Sequence, residues 1–336
     1  MNRFPGVEAF NASLIALPEA DREARDAAAA RQGQLTKPPG SLGRLEEIAI
    51  FLAGWQGREK PVIERGRAVV FAGNHGVVSR GVSAFPAEVT AQMVANFRSG
   101  GAAINALAGA AGLALDVVPL SLDRPTADFT RASAMDADEC LAALNAGAAA
   151  IADADLLVLG EMGIGNTTSA AALALASFGG SATDWVGPGT GVDAEGIRRK
   201  IDTVEAGLAL HRDSLTTPFE ILRRLGGREI AAISGAVLAA RMARVPVVLD
   251  GFIATSAIAP LTVRNPAITA HCIAGHCSAE PGHRRLLEAL GLSPLLMLDM
   301  RLGEGSGAAV AVQIIRAALA AHGGMATFAE AGVSGG

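Results

Sequence analysis

The sequence predicts an α/β fold built on a mostly parallel sheet flanked by helices, and three observations carry that prediction. Short Val- and Leu-rich runs recur along the middle of the chain, each ending in a Gly-rich turn and followed by an Ala-rich helical stretch. The runs are apolar throughout instead of alternating with polar residues, which marks strands buried on both faces and joined by crossover helices. The composition supplies the material, with 50% hydrophobic residues, 40 glycines and 4% aromatics in 336 residues. That length suits one large domain and a smaller one at about 150 residues per domain. The chain is too apolar to remain disordered.

The elements follow in order. Residues 7–32 read as an Ala-rich helix with Glu and Arg on one face. Pro38, Pro39, Gly40 and Gly43 break it, and Ser41 is placed to cap a second helix running to about Trp55. The predicted strands are 68–73, 115–118, 156–160, 247–251 and 295–300. In the run His271-Cys272-Ile273-Ala274-Gly275-His276-Cys277, Cys272 and His276 are read as sharing a helix face. A last helix covers 308–322. The helical ends, 1–62 and 315–336, are expected to pack together as a small domain beside an α/β domain over 63–314. No internal repeat is visible.

Several function classes are excluded. Twenty-eight Lys+Arg against 33 Asp+Glu give a net charge of −5 and a pI near 5.7, so the chain lacks the basic stripe that nucleic acid requires. Three cysteines and no N-terminal apolar run suggest a reducing, cytoplasmic setting. The most apolar stretches are interrupted, 141–160 by Asn145, Asp153 and Asp155 and 305–320 by Gln313 and Arg316. No membrane span of about 20 residues is therefore expected. The dipeptide Gly-Lys never occurs, which excludes a Walker A loop, and there is no H-E-x-x-H or C-x-x-C. G-x-S-x-G occurs once, at 332–336, outside any strand–turn–helix context.

Ligands of open α/β sheets bind beyond the carboxyl ends of the strands, and three Gly-rich turns qualify. Gly160-Glu161-Met162-Gly163-Ile164-Gly165-Asn166-Thr167-Thr168 follows a strand and opens a helix. Its small residues and helix-start donors suit a phosphate cradle, and equally a tight strand–helix turn. Gly187-Pro188-Gly189-Thr190-Gly191 precedes Lys200, one of only three lysines. If the two loops converge, Lys200 supplies a countercharge to phosphate; otherwise it lies on a solvated helix face. Leu302-Gly303-Glu304-Gly305-Ser306-Gly307 sets a carboxylate among glycines, as a general base at a strand end or a capping Glu. Asn74 and His75 follow the first strand and could line the same crevice. The His271, Cys272, His276, Cys277 and His283 cluster matches no zinc spacing, so no metal is expected.

Taken together, these motifs resemble the nicotinate-nucleotide–dimethylbenzimidazole phosphoribosyltransferase family, over nearly the whole chain. The segments that carry the resemblance include Lys37–Leu45, Ala72–Val77 with Gly81–Pro86, Gly160–Thr168, Gly187–Gly191, Asp250-Gly251-Phe252, Ser278–His283 and Leu302–Gly307. The resemblance implies transfer of the phosphoribosyl group of nicotinate mononucleotide to 5,6-dimethylbenzimidazole in cobalamin synthesis, with α-ribazole 5′-phosphate and nicotinate as products. It implies Glu304 as the general base and Glu161 as a second carboxylate. Gly163, Gly165, Asn166, Thr167, Gly189, Thr190 and Lys200 would hold the phosphate and ribose. Ser83 and Gln92 would lie near the aromatic base, and Asn74, His75, Asp250, Gly303 and Gly305 would complete the substrate site. A Rossmann-like sheet, a small helical domain, a homodimer and no cofactor are implied as well.

Two other classes remain to be separated. A nicotinamide-dependent oxidoreductase would use Gly163-x-Gly165 with Asp184, 21 residues on, as the ribose carboxylate. A non-catalytic nucleotide-binding module would keep the Gly-rich loops and make Glu304 structural.

Overall fold

The computed structural model describes residues 3–334. Six parallel strands form one sheet: β1 (Gly66–Ala72), β2 (Ala114–Pro119), β3 (Leu156–Met162), β4 (Val247–Leu249), β5 (Cys272–His276) and β6 (Pro294–Leu296). Their order is β2-β1-β3-β4-β5-β6. The chain thus steps outward once from β1 to β2, then returns past β1 and builds β3 to β6 on the other side.

The apolar runs are explained by two covered faces. Val69, Phe71, Leu157, Leu159, Val247 and Leu249 enter one core, and Ala68, Val70, Leu156, Val158, Val248 and Ile273 enter the other. Alternate residues point to opposite faces of a strand, so a strand buried on both sides cannot alternate in polarity. The first core is closed by the helices Ala137–Ala150, Asn166–Phe178 and Arg228–Met242, and the second by Arg44–Gln56, Ala103–Ala110 and Ser306–Gly324. The chain ends meet. Arg31 Nε donates to the His322 carbonyl at 2.9 Å, and Leu35 bridges Thr327. The helix Ser306–Gly324 passes unbroken through residue 315.

Four local readings change. The N-terminal helix is two helices, Val7–Ser13 and Arg22–Gln34. Pro18 falls in the break, and Asp21 caps the second by accepting from Ala24 N at 2.9 Å. Ser41 is not a cap; the next helix starts at Arg44 behind Gly43, whose φ of 52° and ψ of −123° suit only glycine. The 247–251 and 295–300 strands shorten to β4 and β6. Cys272–His276 is a strand, with Gly275 pressed against helix Ser306–Gly324: a Cβ there would lie 2.8 Å from Ala308 Cα. Four residues along a strand span about 13 Å, so Cys272 and His276 cannot share a ligand. The 332–336 motif ends on residues outside those described.

Candidate active site

The site lies beyond the carboxyl ends of β3 to β6. Glu161 and Met162 end β3, the chain turns at Gly163–Gly165, and the helix Asn166–Phe178 begins. Gly165 has φ 94°. A Cβ on Gly163 would lie 2.8 Å from both the Gly73 carbonyl and Glu229 Oε1, so the turn needs its glycines. The turn opens a helix N-terminus, whose positive end favours an anion.

The two loops converge on one lysine. Lys200, from the helix Ala194–His211, donates through Nζ to Thr167 Oγ1 at 2.9 Å and to the Gly187 carbonyl at 3.1 Å. Burial pushes it down to about 8, opposed by the Glu280 charge. Thr167 and Thr190 stand beside it in a hollow of about 250 Å³ that also takes in Val82, Ser83 and Gly165. The solvated-face reading of Lys200 is therefore replaced by a buried one, because the 187–191 loop folds back over the helix that carries it.

The third loop is held under strain. Gly303, Glu304 and Gly305 have φ of 88°, 66° and 92°, and Glu304 is the non-glycine among them. Glu304 N donates to the Glu161 carbonyl at 3.2 Å, and Gly305 N and Ala308 N donate to Asp250 Oδ2 and Oδ1 at 3.2 and 2.9 Å. Asp250 thus caps the helix Ser306–Gly324 and fixes the loop rather than lining the cleft. Gly160 packs under Glu304; a Cβ there would collide with the Glu304 carbonyl. Glu304 is itself buried, with Oε2 accepting from Ile104 N at 3.2 Å, where the helix Ala103–Ala110 starts. Burial raises its carboxyl, the Ile104 amide opposes this, and Asp250 adds to it.

A cleft with about 600 Å³ of empty space, open solvent included, runs across these ends. Glu161, Gly163, Ile164, Asn166, Thr167, Gly189 and Thr190 line one side, and Gly251, Phe252, Ile253, His276, Ser278, Glu280 and Arg301–Gly303 the other. Glu161 is buried and accepts from Asn166 Nδ2. Burial, with the Asp250, Glu229 and Glu304 carboxylates nearby, pushes it up to about 8. A Cβ on Gly303 would collide with Glu161 Oε1, so the third loop lies directly over this carboxylate.

The remaining candidates divide. Ser83 borders the smaller hollow, with its hydroxyl accepting from Phe85 N at 3.1 Å. Gln92 is exposed on the helix Glu88–Ser99, whose Thr90 Oγ1 accepts from Ile164 N. Asn74 and His75 do not line the cleft. Asn74 donates to the Leu122 carbonyl at 2.9 Å. His75 is sealed beneath the Gly163 turn, with Nε2 2.5 Å from Glu229 Oε1 and Nδ1 3.0 Å from Ser169 Oγ. The cysteine–histidine cluster disperses, with His271 Nε2 3.0 Å from the Val237 carbonyl and Cys140, Cys272 and Cys277 all free thiols. Among the described residues no three His, Cys, Asp or Glu side chains gather around one metal position. Asp184 accepts from Ser181 N at 2.7 Å and pairs with Arg285 at 2.9 Å, so it closes its own turn and does not present a ribose carboxylate to Gly163.

The phosphoribosyltransferase family model matches residues 17–333. A nicotinate-nucleotide–dimethylbenzimidazole phosphoribosyltransferase from Novosphingobium aromaticivorans is 69% identical over 337 residues, 100% of each chain. One of that name from Mesorhizobium japonicum is 58% identical over 332 residues, covering 98% of this chain and 99% of its own. This chain belongs to the nicotinate-nucleotide–dimethylbenzimidazole phosphoribosyltransferase family. The crystal structure of CobT from Thermus thermophilus superposes with a TM-score of 0.87 at 47% identity, over 94% of this chain and 100% of that one. The chain is therefore an α/β phosphoribosyltransferase, and no described helix is long and apolar enough to cross a membrane.

Sequence reasoning gave no site role to several polar residues at or beneath this cleft. Glu229 is fully buried below the Gly163 turn, and Glu280, Arg301 and His276 line the cleft. Glu280 and Arg301 stood inside motifs already singled out or next to them. Glu229 left no signal, because it reaches the site from the helix Arg228–Met242 on a distant stretch of chain.

Proposed function

We propose that this enzyme transfers the phosphoribosyl group of nicotinate mononucleotide to 5,6-dimethylbenzimidazole, with inversion at C1′ and Glu304 as general base, in the assembly of the cobalamin nucleotide loop. The observation that carries the reading is the meeting of Glu161 and the Glu304 loop, through Gly303, at one cleft that shares Thr167 and a helix N-terminus with the adjoining hollow of Lys200. The cationic, amide-rich end suits a phosphate ester, and the carboxylate-rich end suits the positive charge of the reacting centre.

The donor's pyridine nitrogen is bonded to C1′ and carries positive charge. The benzimidazole lone-pair nitrogen attacks C1′ from the face opposite that ring. The C1′–N bond breaks with its electron pair passing to the pyridine nitrogen, so the leaving group departs neutral and needs no general acid. Positive charge then builds on the acceptor ring, and Glu304 takes the proton from its other nitrogen. A carboxyl raised by burial is better matched to holding that proton than an ordinary glutamate. Glu161, beneath the loop and holding its proton up to about 8, orients the ribose.

The experiment mixes protein, nicotinate mononucleotide and dimethylbenzimidazole without added metal and follows products by mass spectrometry. Base-dependent ribazole phosphate and nicotinate are expected, with the α anomer identified by NMR. Glu304→Gln is expected to lower kcat by about 10²- to 10⁴-fold without unfolding; full activity in that variant would remove Glu304 from its role. We also propose a homodimer, a cytoplasmic setting consistent with the three free thiols, and a small helical domain from the two ends joined by Arg31 and His322. Light scattering and limited proteolysis test the first and last of these.

A further inference from the structure

His75 and Glu229 form a buried polar pair that borders neither the cleft nor the smaller hollow. His75 Nε2 lies 2.5 Å from Glu229 Oε1, and Nδ1 lies 3.0 Å from Ser169 Oγ. The imidazole thus ties the chain leaving β1 to two helices, Asn166–Phe178 and Arg228–Met242. Glycines make the room. A Cβ on Gly227 would collide with the imidazole, and one on Gly73 would stand 2.5 Å from Glu229 Oε2. One on Gly165 would stand 3.3 Å from His75 Cβ. Burying a carboxylate costs more than an apolar filling of the same space, and Glu229 Oε2 has no hydrogen-bond partner among the described residues. Packing alone therefore does not account for the pair.

Its place in the fold does. Gly163 and Gly165 rest on the pair, and a Cβ on Gly163 would stand 2.8 Å from Glu229 Oε1. Ser169 stands three residues after Asn166, in the helix that this turn opens. On the cleft side the same turn carries Glu161, which accepts from Asn166 Nδ2, and Thr167, which accepts from Lys200 Nζ. Gly73 N donates to the Met162 carbonyl at 3.0 Å, so the ends of β1 and β3 are joined beside the pair. A second anchor is Thr90 Oγ1, which accepts from Ile164 N at 3.2 Å. Hydrogen bonds fix direction as well as distance, and a reacting group is held in place by the bonds of the residues behind it.

Resting on the reaction assigned above, we propose that His75 and Glu229 are positioning residues for it. The hydrogen-bonded chain Glu229–His75–Ser169 fixes the 163–165 turn and, through Asn166, the Glu161 carboxyl at the reacting end of the cleft. Phosphate anchoring is separate, because Lys200 also donates to the Gly187 carbonyl at 3.1 Å on the other loop. Breaking the chain therefore displaces the carboxyl more than the phosphate.

The test uses the full chain and the variants Glu229→Ala, Glu229→Gln and Ser169→Ala. In Glu229→Ala, kcat per folded molecule is expected to fall on the order of 10²-fold, with KM for nicotinate mononucleotide within about threefold. Glu229→Gln keeps an accepting oxygen for His75 and should recover most of that loss. Ser169→Ala loses one bond of the chain and should lower kcat about tenfold; it carries the test if Glu229→Ala does not fold. Wild-type kcat in Ser169→Ala, or a loss in Glu229→Ala that the glutamine does not relieve, overturns the proposal. Hydrogen exchange at the Ile164, Asn166 and Thr168 amides reads the turn without turnover, and Ser169→Ala should speed it about tenfold. An equal rise in the helix Ser306–Gly324 marks lost stability alone and overturns the proposal. A wild type that transfers nothing, with these amides loosened in the variants, ends the reaction assignment and keeps the positioning. Amides that exchange at wild-type rates in every variant end the positioning and leave the reaction in place.

Discussion

Gly160→Ala isolates the contact on which the Glu304 geometry depends. An added Cβ would overlap the Glu304 carbonyl and stand 2.6 Å from Gly305 N, whereas ordinary contact begins at 3.4 Å. The 303–305 loop must therefore retreat by about 0.8 Å at Gly305 N and by more at the Glu304 carbonyl. β3 cannot yield instead, because it is paired on both sides, to β1 and β4. The loop can yield only by stretching the Glu304 N to Glu161 O bond and the two amides on Asp250. Misplacing a catalytic group by about 1 Å costs on the order of 10²-fold in rate, and overpacking costs about 1–3 kcal/mol of stability. Initial rates of base-dependent nicotinate release give the first quantity, and denaturant unfolding gives the second. Gly323→Ala is the control, since nothing lies within 4 Å of a Cβ there; it should change stability by less than about 1 kcal/mol. A Gly160→Ala enzyme with wild-type kcat and wild-type stability would refute the claim that this backbone contact fixes Glu304.

Further outcomes follow from the same geometry. Lys200→Met removes the buried ammonium beside Thr167 and should raise KM for nicotinate mononucleotide about ten- to hundredfold with a smaller effect on kcat, read by steady-state rates. Asp250→Asn replaces the charged acceptor of Gly305 N and Ala308 N and should lower stability by about 1–3 kcal/mol, read by urea unfolding, with a parallel fall in kcat. Glu161 keeps its proton in the folded protein up to about 8, against 4.5 when unfolded. Between pH 6.5 and 8 the folded state therefore holds the extra proton, and stability should fall as pH rises. His271 and His283, pushed down to about 3, act with the opposite sign and only below 6.5. Thermal melts across that window should show a slope in the wild type and a flatter one in Glu161→Gln.

The layered core was legible in the sequence because it obeys local rules. A strand covered on both faces must be apolar throughout, and Val69, Val70, Leu157 and Val158 are. The three Gly-rich turns were legible because close backbone approach excludes a side chain, as at Gly163 and Gly303. β5 was missed for a physical reason: Gly275 and Ala274 have weak strand preference, and pairing with β4 together with Gly275 against Ala308 decides its state. His75 was drawn into the cleft by its place after β1, whereas Glu229, from a helix remote in sequence, claims it beneath the turn. Partnerships of that kind leave no local pattern.

The charge arrangement follows from where the helices begin. Three buried carboxylates gather near the reacting centre, which burial alone would resist. Two of them rest on helix starts: Glu304 on Ile104 N, and Asp250 on Gly305 N and Ala308 N, while Glu161 takes the side chain of Asn166 at the head of a third. The positive end of each helix offsets part of the cost of holding an anion there. The same third helix start that steadies Glu161 presents the Thr167 hydroxyl to Lys200. In the proposed reaction, the phosphate and the ribose lie at opposite ends of one short turn, Glu161 to Thr167. In the same reaction, positive charge that develops on the acceptor ring meets Glu304, whose loop is fixed before the substrate arrives. Reorganisation during the step is small for that reason, and a loop held at Glu304 with a φ of 66° is the strained conformation that such fixed placement requires.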